Sequence, residues 1–167
     1  MKRIENQEFF HIHDHVFHNK SILWEVGNCF EVNNDFKSMF GQEIEGFEEF
    51  VAEDSTDPIF KREMALEVIR KEKHPDLISR FHCIWLSDIN TLPYWIGQLP
   101  GKVYRVSATG IIFESSDNFL CGDDDREYED IKKDCYKYWE APFKTDMDYL
   151  KREYLFQGKI KVLERID

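Results

Sequence analysis

Polar and apolar residues alternate through Glu8-Phe9-Phe10-His11-Ile12-His13, which predicts a short strand with Phe9, His11 and His13 on one face and Phe10 and Ile12 on the other. Residues 16–26 have helical spacing, with Gly27 to close them. Cys29-Phe30-Glu31-Val32 then reads as a second short strand before Asn33-Asn34-Asp35 turns the chain. Asp57 followed by Pro58 is an N-cap with proline at the first helical position. Phe60, Met64, Ala65, Val68 and Ile69 recur at helical spacing from there until Pro75. Residues 81–86 form an aromatic and apolar run that predicts a buried strand. Residues 89–96 predict a short helix broken or begun near Pro93, and Val103-Tyr104-Arg105-Val106 alternates as a strand. Asp123-Asp124-Asp125 open another helix whose stripe is Tyr128, Ile131, Cys135 and Tyr138, with Pro142 as its stop. Residues 153–162 read as two strand segments about a Gln157-Gly158 turn or bulge.

Strand and helix come first, a helical middle follows, and the later strands are interrupted by one more helix. This order predicts an α+β fold rather than a regularly wound parallel sheet. With 167 residues, 42% of them hydrophobic, the chain fills one core, so residues 1–167 are expected to form a single domain. No apolar run is long enough to span a bilayer, and Met1-Lys2-Arg3-Ile4-Glu5-Asn6 lacks the apolar stretch of a signal peptide. The expectation is a cytoplasmic protein with no membrane partner. Cys29, Cys83, Cys121 and Cys135 are scattered without a C-x-x-C pair and are expected to be reduced and mostly buried.

The formal charge of −11 opposes nucleic acid at long range, so a nucleic-acid substrate requires a local basic patch. Acidic residues gather at residues 43–57 and 123–125, while Lys144, Lys151, Arg152, Lys159 and Lys161 make the tail locally basic.

His11-Ile12-His13-Asp14-His15 suggests a metal site, because imidazoles two apart on a strand can share one ion. The spacing matches neither H-x-H-x-D-H nor a pair of histidines followed four or five residues later by glutamate. A metal-dependent enzyme built on His11, His13 and His15 stays as a minor alternative. No G-x-S-x-G elbow, P-loop or G-x-G-x-x-G is present, and His82 and Cys83 are adjacent, hence on opposite faces of a strand.

Three segments taken together resemble ADP-ribosyltransferase-fold enzymes of the histidine-bearing, polymerase-like branch, including small bacterial toxin and phage-defence members. They are Phe9-Phe10-His11-Ile12-His13 with Ile22-Leu23-Trp24 and Val26-Gly27 after it, Ser79-Arg80-Phe81-His82-Cys83-Ile84-Trp85-Leu86-Ser87 in the middle, and Lys151-Arg152-Glu153-Tyr154-Leu155-Phe156-Gln157-Gly158-Lys159-Ile160 near the end. The chain departs from that pattern in three ways. His13 stands where Thr or Gly is commoner, the middle-strand tyrosine of the polymerases is not clearly placed, and no second acidic residue lies two positions before Glu153. The last departure argues against the arginine-modifying branch.

The resemblance implies split antiparallel sheets with flanking helices, NAD as co-substrate, Glu153 as the catalytic carboxylate, and cofactor contacts from His11, Ile12, His13, Ser79 and Arg80. Breaking the nicotinamide–ribose bond passes through an oxocarbenium-like state, and the leaving group is already cationic. The need is for a carboxylate beside the ribose rather than a general acid. A guanidinium such as Arg80 suits a diphosphate, and His11 suits the adenosine-side ribose. The resemblance further implies a macromolecular acceptor selected by about residues 142–152, with RNA or DNA slightly ahead of protein, and a cognate antitoxin that blocks the cleft. The alternative reading is a non-catalytic NAD-binding or protein-interaction module on the same fold.

Overall fold

A computed structural model describes residues 1–14, 22–120 and 126–166. In chain order it runs β1 (Lys2–His13), β2 (Cys29–Val32), α1 (Met39–Ile44), α2 (Glu49–Glu53), α3 (Pro58–Lys73), a 3₁₀ turn (Arg80–His82), β3 (Ile84–Leu86), α4 (Leu92–Gln98), β4 (Lys102–Ser116), a second 3₁₀ turn (Asp117–Phe119), α5 (Tyr128–Glu140), α6 (Asp146–Leu150) and β5 (Arg152–Ile166). This is a mixed, single-domain architecture with an antiparallel sheet and flanking helices, as the alternation of patterns predicted.

The sheet is organised by its two longest strands, β4 and β5, which pair from Val103 with Ile166 to Ser116 with Arg152. β1 pairs with β4 on the far edge of β4. The far edge of β5 is shared. Tyr154 to Phe156 pair with β3, whereas Gly158 to Lys161 pair with β2, so the sheet splits at Gln157. At the split, Gly158 has φ 139°, and a Cβ on Gly158 would lie 2.4 Å from the Thr109 carbonyl oxygen and 2.7 Å from Gly110 Cα. Only glycine accommodates that backbone and that closeness, which is why the Gln-Gly pair read from the sequence turns out to be a crossing point inside one continuous strand. The open edges of β1 and β3 meet at a single bridge, with Phe10 N–H donating to the Ser87 carbonyl at 2.8 Å and Ser87 N–H to the Phe10 carbonyl at 2.9 Å. Through that bridge the sheet closes on itself, β1–β4–β5–β3–β1.

Period-2 alternation then separates two cores. Phe9, Ile84, Leu86, Val106, Ala108, Ile112, Phe156, Ile160 and Val162 fill the inside of the ring together with Trp24. Phe113 and Leu155 face outward onto α3 and α5, where Met64, Leu66, Ile131, Tyr138 and Trp139 cover them. The α3 start is as read: the Asp57 side chain accepts from the backbone N–H groups of Ile59 and Phe60, and Pro58 begins the helix.

Several expectations need correction. Of the helix read over residues 16–26, residues 16–21 lie outside the described residues, 22–25 are not helical, and Val26 and Gly27 form a turn closed by Asn28 N–H donating to the Glu25 carbonyl. Only Ile84–Leu86 of the strand read over residues 81–86 is paired as a strand. Ser79 caps a 3₁₀ turn there, accepting from Phe81 N–H, and that diverts the chain first. The helix near Pro93 is α4, beginning later with the proline in its first turn. Helix α5 begins at Tyr128 with Glu127 as N-cap, and Asp123 to Asp125 lie outside the described residues. Cys83 and Cys135 are buried as expected, Cys29 is exposed, and Cys121 is not among the described residues. Among the described residues, no helix is long and apolar enough to cross a membrane.

Candidate active site

Glu153 is the second residue of β5, and its strand neighbour on β4 is Ser115. Alternation turns its side chain to the outer face, beneath α5. Arg80 arrives from the 3₁₀ turn, which is tightly tied to its surroundings. Ser38 Oγ donates to the Arg80 carbonyl at 2.7 Å, and a Cβ on Gly41 would lie 2.2 Å from the Phe81 carbonyl oxygen, so α1 rests directly on the turn. Thus held, the Arg80 guanidinium donates from Nε to Glu63 Oε2 at 2.8 Å, from Nη2 to Glu63 Oε1 at 3.1 Å, and from Nη1 to both Glu153 Oε1 and Tyr138 Oη at 2.7 Å. The Tyr138 hydroxyl donates in turn to Glu153 Oε1. The rings of Tyr138, Trp85 and Phe40 surround the guanidinium, their centroids 4.8, 5.3 and 5.6 Å from its carbon.

The two oxygens of Glu153 therefore differ. Oε1 takes the Arg80 and Tyr138 donors, while no donor among the described residues reaches Oε2, and the side chain as a whole is buried. Burial pushes the Glu153 carboxyl above its ordinary range, against the pull of Arg80 and the Tyr138 hydroxyl. Burial also opposes the charge on Arg80, but Glu63, Tyr138 and Glu153 outweigh it and hold the guanidinium charged. The same burial pushes Cys83 and Tyr138 well up, so Cys83 stays a thiol and is no nucleophile.

Ser79, beside Arg80, donates from Oγ to Glu67 Oε2 at 2.8 Å. Glu67 also receives Arg70 Nε at 2.9 Å and Nη2 at 2.7 Å. Ser79 lines a cleft of about 410 Å³ with Arg70, Lys71, His82 and Gln157, at the gap where β2 and β3 part along β5. Arg70 spends its remaining nitrogen on the Pro75 and Leu77 carbonyls.

His11 and His13 lie elsewhere. One step past the Leu86–Tyr154 pair brings Ser87 alongside Glu153, and Ser87 bridges Phe10. Phe10 is thus two strand spacings, about 10 Å, from Glu153. Because side chains alternate, His11 and His13 fall on the inner face and Glu153 on the outer, with Ile12 on the outer side. The His11 ring stacks on Trp24 with centroids 4.2 Å apart, and His13 lies 5.2 Å from the same ring. His11 Nδ1 is 2.9 Å from the Trp85 carbonyl oxygen, an acceptor that fixes the proton on that nitrogen. A narrow cavity of about 20 Å³, room for one water, runs between these histidines and Ser38, Cys83 and Trp85. Among the described residues no three His, Cys, Asp or Glu side chains converge as a metal site, and His15 is not among them.

The structure thus joins Arg80 to Glu153, which the sequence placed 73 residues apart, keeps Ser79 close by, and sets His11 and His13 across the sheet. In this arrangement Arg80 is committed to two carboxylates and offers no free fork to a diphosphate. Sequence reading missed Glu63 and Tyr138 as partners. Tyr138 sat on the buried stripe of α5, and Glu63 and Glu67, one helical turn apart, sit beside the apolar positions of α3; carboxylates there are the signal of a buried partner.

Residues 32–167 match the family described as protein of unknown function (DUF2441). The chain belongs to that family. No curated protein matches the chain. The matched span takes in Arg80, Tyr138 and Glu153 and begins after His11 and His13.

Proposed function

We propose that this chain is an NAD-dependent ADP-ribosyltransferase whose catalytic carboxylate is Glu153. The observation that carries the reading is the asymmetric carboxylate: one oxygen of the buried Glu153 is pinned by Arg80 and Tyr138, and the other has no donor among the described residues. The split sheet with helices on its outer face and the Arg80–Glu153 pair support the same reading, which the resemblance of three segments first suggested.

In this chemistry the bond between C1′ of the ribose and the nicotinamide nitrogen breaks, and nicotinamide leaves neutral with the electron pair. C1′ becomes cationic, and Glu153 Oε2 stabilises it in a site dry enough to strengthen the attraction. The acceptor's lone pair then forms the new bond to C1′, and its proton passes to Glu153 Oε2, which burial makes a stronger base than an exposed glutamate. Arg80 holds the carboxylate in place. His11 contributes by fixing the edge of β3 at Trp85.

The acceptor in this reading is a macromolecule, in the manner of toxin or defence effectors. The basic tail is partly spent: Arg152 pairs with Asp88 and with Glu114, and Lys151 sits over the Tyr94 ring, which leaves Lys144, Lys159 and Lys161 to meet phosphates.

Incubation with NAD labelled in the adenylate, alone and with cell extract, tests the reading. The wild type is expected to release nicotinamide and transfer label to a macromolecular fraction, and folded Glu153→Gln to do neither. Absence of both from the wild type overturns it. The burial of Glu153 against Arg80 favours a second reading, a binding module that keeps the pair only as a brace. That module would show an NAD-dependent rise in Tm, or none, without nicotinamide release.

A further inference from the structure

We infer that Tyr138 is a positioning residue that fixes which oxygen of Glu153 faces the substrate, an inference that rests on the transferase reading above. Arg80 Nη1 donates to the Tyr138 oxygen at 2.7 Å, which occupies one of its lone pairs and turns the phenolic proton away from the guanidinium. The acceptor that the proton then meets is Glu153 Oε1. Arg80 and Tyr138 thus converge on the same oxygen. A carboxylate that accepts two charge-assisted or polarised bonds on one oxygen cannot rotate freely about its last torsion, so Oε2 is held as the oxygen turned away from Arg80 and Tyr138.

The tyrosine is itself braced. Ser115, the cross-strand neighbour of Glu153, donates from Oγ to the Tyr138 carbonyl at 2.6 Å, locking that turn of α5 onto the same row of the sheet that carries the carboxylate. The ring is buried against Phe113 and Trp139. Glu63 completes the arrangement from α3 by taking the other edge of the Arg80 guanidinium, leaving Nη1 for Tyr138 and Glu153. Three elements, α3, α5 and β5, thereby set the rotation of one carboxylate. Such preorganisation is what transition-state stabilisation requires, since the group does not reorient during reaction.

The test is Tyr138→Phe, which keeps the ring over Arg80 and deletes only the hydroxyl. A hydrogen bond to a charged group corresponds to about a ten- to hundredfold fall in kcat for nicotinamide release, with KM for NAD changed by less than about twofold. Because the hydroxyl holds the Glu153 carboxyl down, its loss should also move the acid limb of the pH–rate profile to higher pH. Tyr128→Phe, a buried tyrosine of the same helix remote from Glu153, is expected to change neither. Wild-type kcat and an unmoved limb in Tyr138→Phe overturn the inference. If the wild type itself releases no nicotinamide, the transferase reading falls. The carboxyl ¹³C resonance of Glu153 then still reports on the contact, and an unchanged titration midpoint in Tyr138→Phe rejects the positioning on its own.

Discussion

Toward α3 and α5 the sheet covers Glu63, Arg80 and Glu153 among its apolar side chains, whereas inside the closed ring Phe9, Val106, Phe156 and Val162 meet one another and the polar groups are imidazoles stacked on Trp24. The inner core needs only apolar surface to exclude water, and its cost of assembly is conformational entropy. The outer core carries a further cost, because each buried ion has given up hydration worth several kcal/mol, and the pairing regains that only while every partner is present. Apolar residues of equal volume would cover the sheet as well. Retaining two carboxylates around one guanidinium is in keeping with the catalytic role proposed for Glu153.

The sharpest way to break this contrast is Arg80→Ala. It strands Glu63 and Glu153 without their cation and should cost about 3–5 kcal/mol in denaturant unfolding. A loss below about 1 kcal/mol would mean that the outer cluster is already hydrated and no different from surface. Next in size is Gly158→Ala at the crossing of β4 and β5. Its strained φ of 139° and its contact at 2.4 Å with the Thr109 carbonyl predict about 1–3 kcal/mol of destabilisation, measurable as a fall in Tm. The ring closure would loosen and the two cores would be affected together. A smaller effect is expected from Glu153→Gln, with a distinctive pH dependence. Burial raises the folded-state affinity of Glu153 for its proton above the unfolded value. Its contribution to stability is therefore complete below the ordinary glutamate range and fades as pH rises through the raised value. The amide does not titrate, so the stability of the variant relative to wild type should climb as pH passes upward through that window. A flat difference would show that Glu153 is not desolvated.

His11 shows why the candidate site was only half legible. Alternation through Phe9, His11 and His13 correctly placed the two imidazoles on one face. It gave no sign of which face Glu153 would take, because that depends on how β5 registers against β3 and on the Phe10–Ser87 bridge that rolls β1 back to the sheet. A register is a property of strand pairs, and one residue of slip exchanges the faces. Glu63 illustrates the complementary case: its place on α3 followed from helical spacing after Asp57-Pro58, but its partner approaches from a turn that the local pattern read as strand.

Local chemistry in the sequence determined the elements whose signals lie within a few residues. Asp57-Pro58 started α3, the stripe of Tyr128, Ile131, Cys135 and Tyr138 set the buried side of α5, and Gln157-Gly158 marked the place where β5 changes partners. Those signals act through neighbouring backbone groups and side-chain period, and are complete before the chain folds. Tertiary structure alone decided that Arg80, Tyr138 and Glu153 share one oxygen, and that His11 packs on Trp24 across the sheet from them. Burial and pairing of charge arise only when α3, α5 and β5 close over the same point, and no segment read by itself carries that distance.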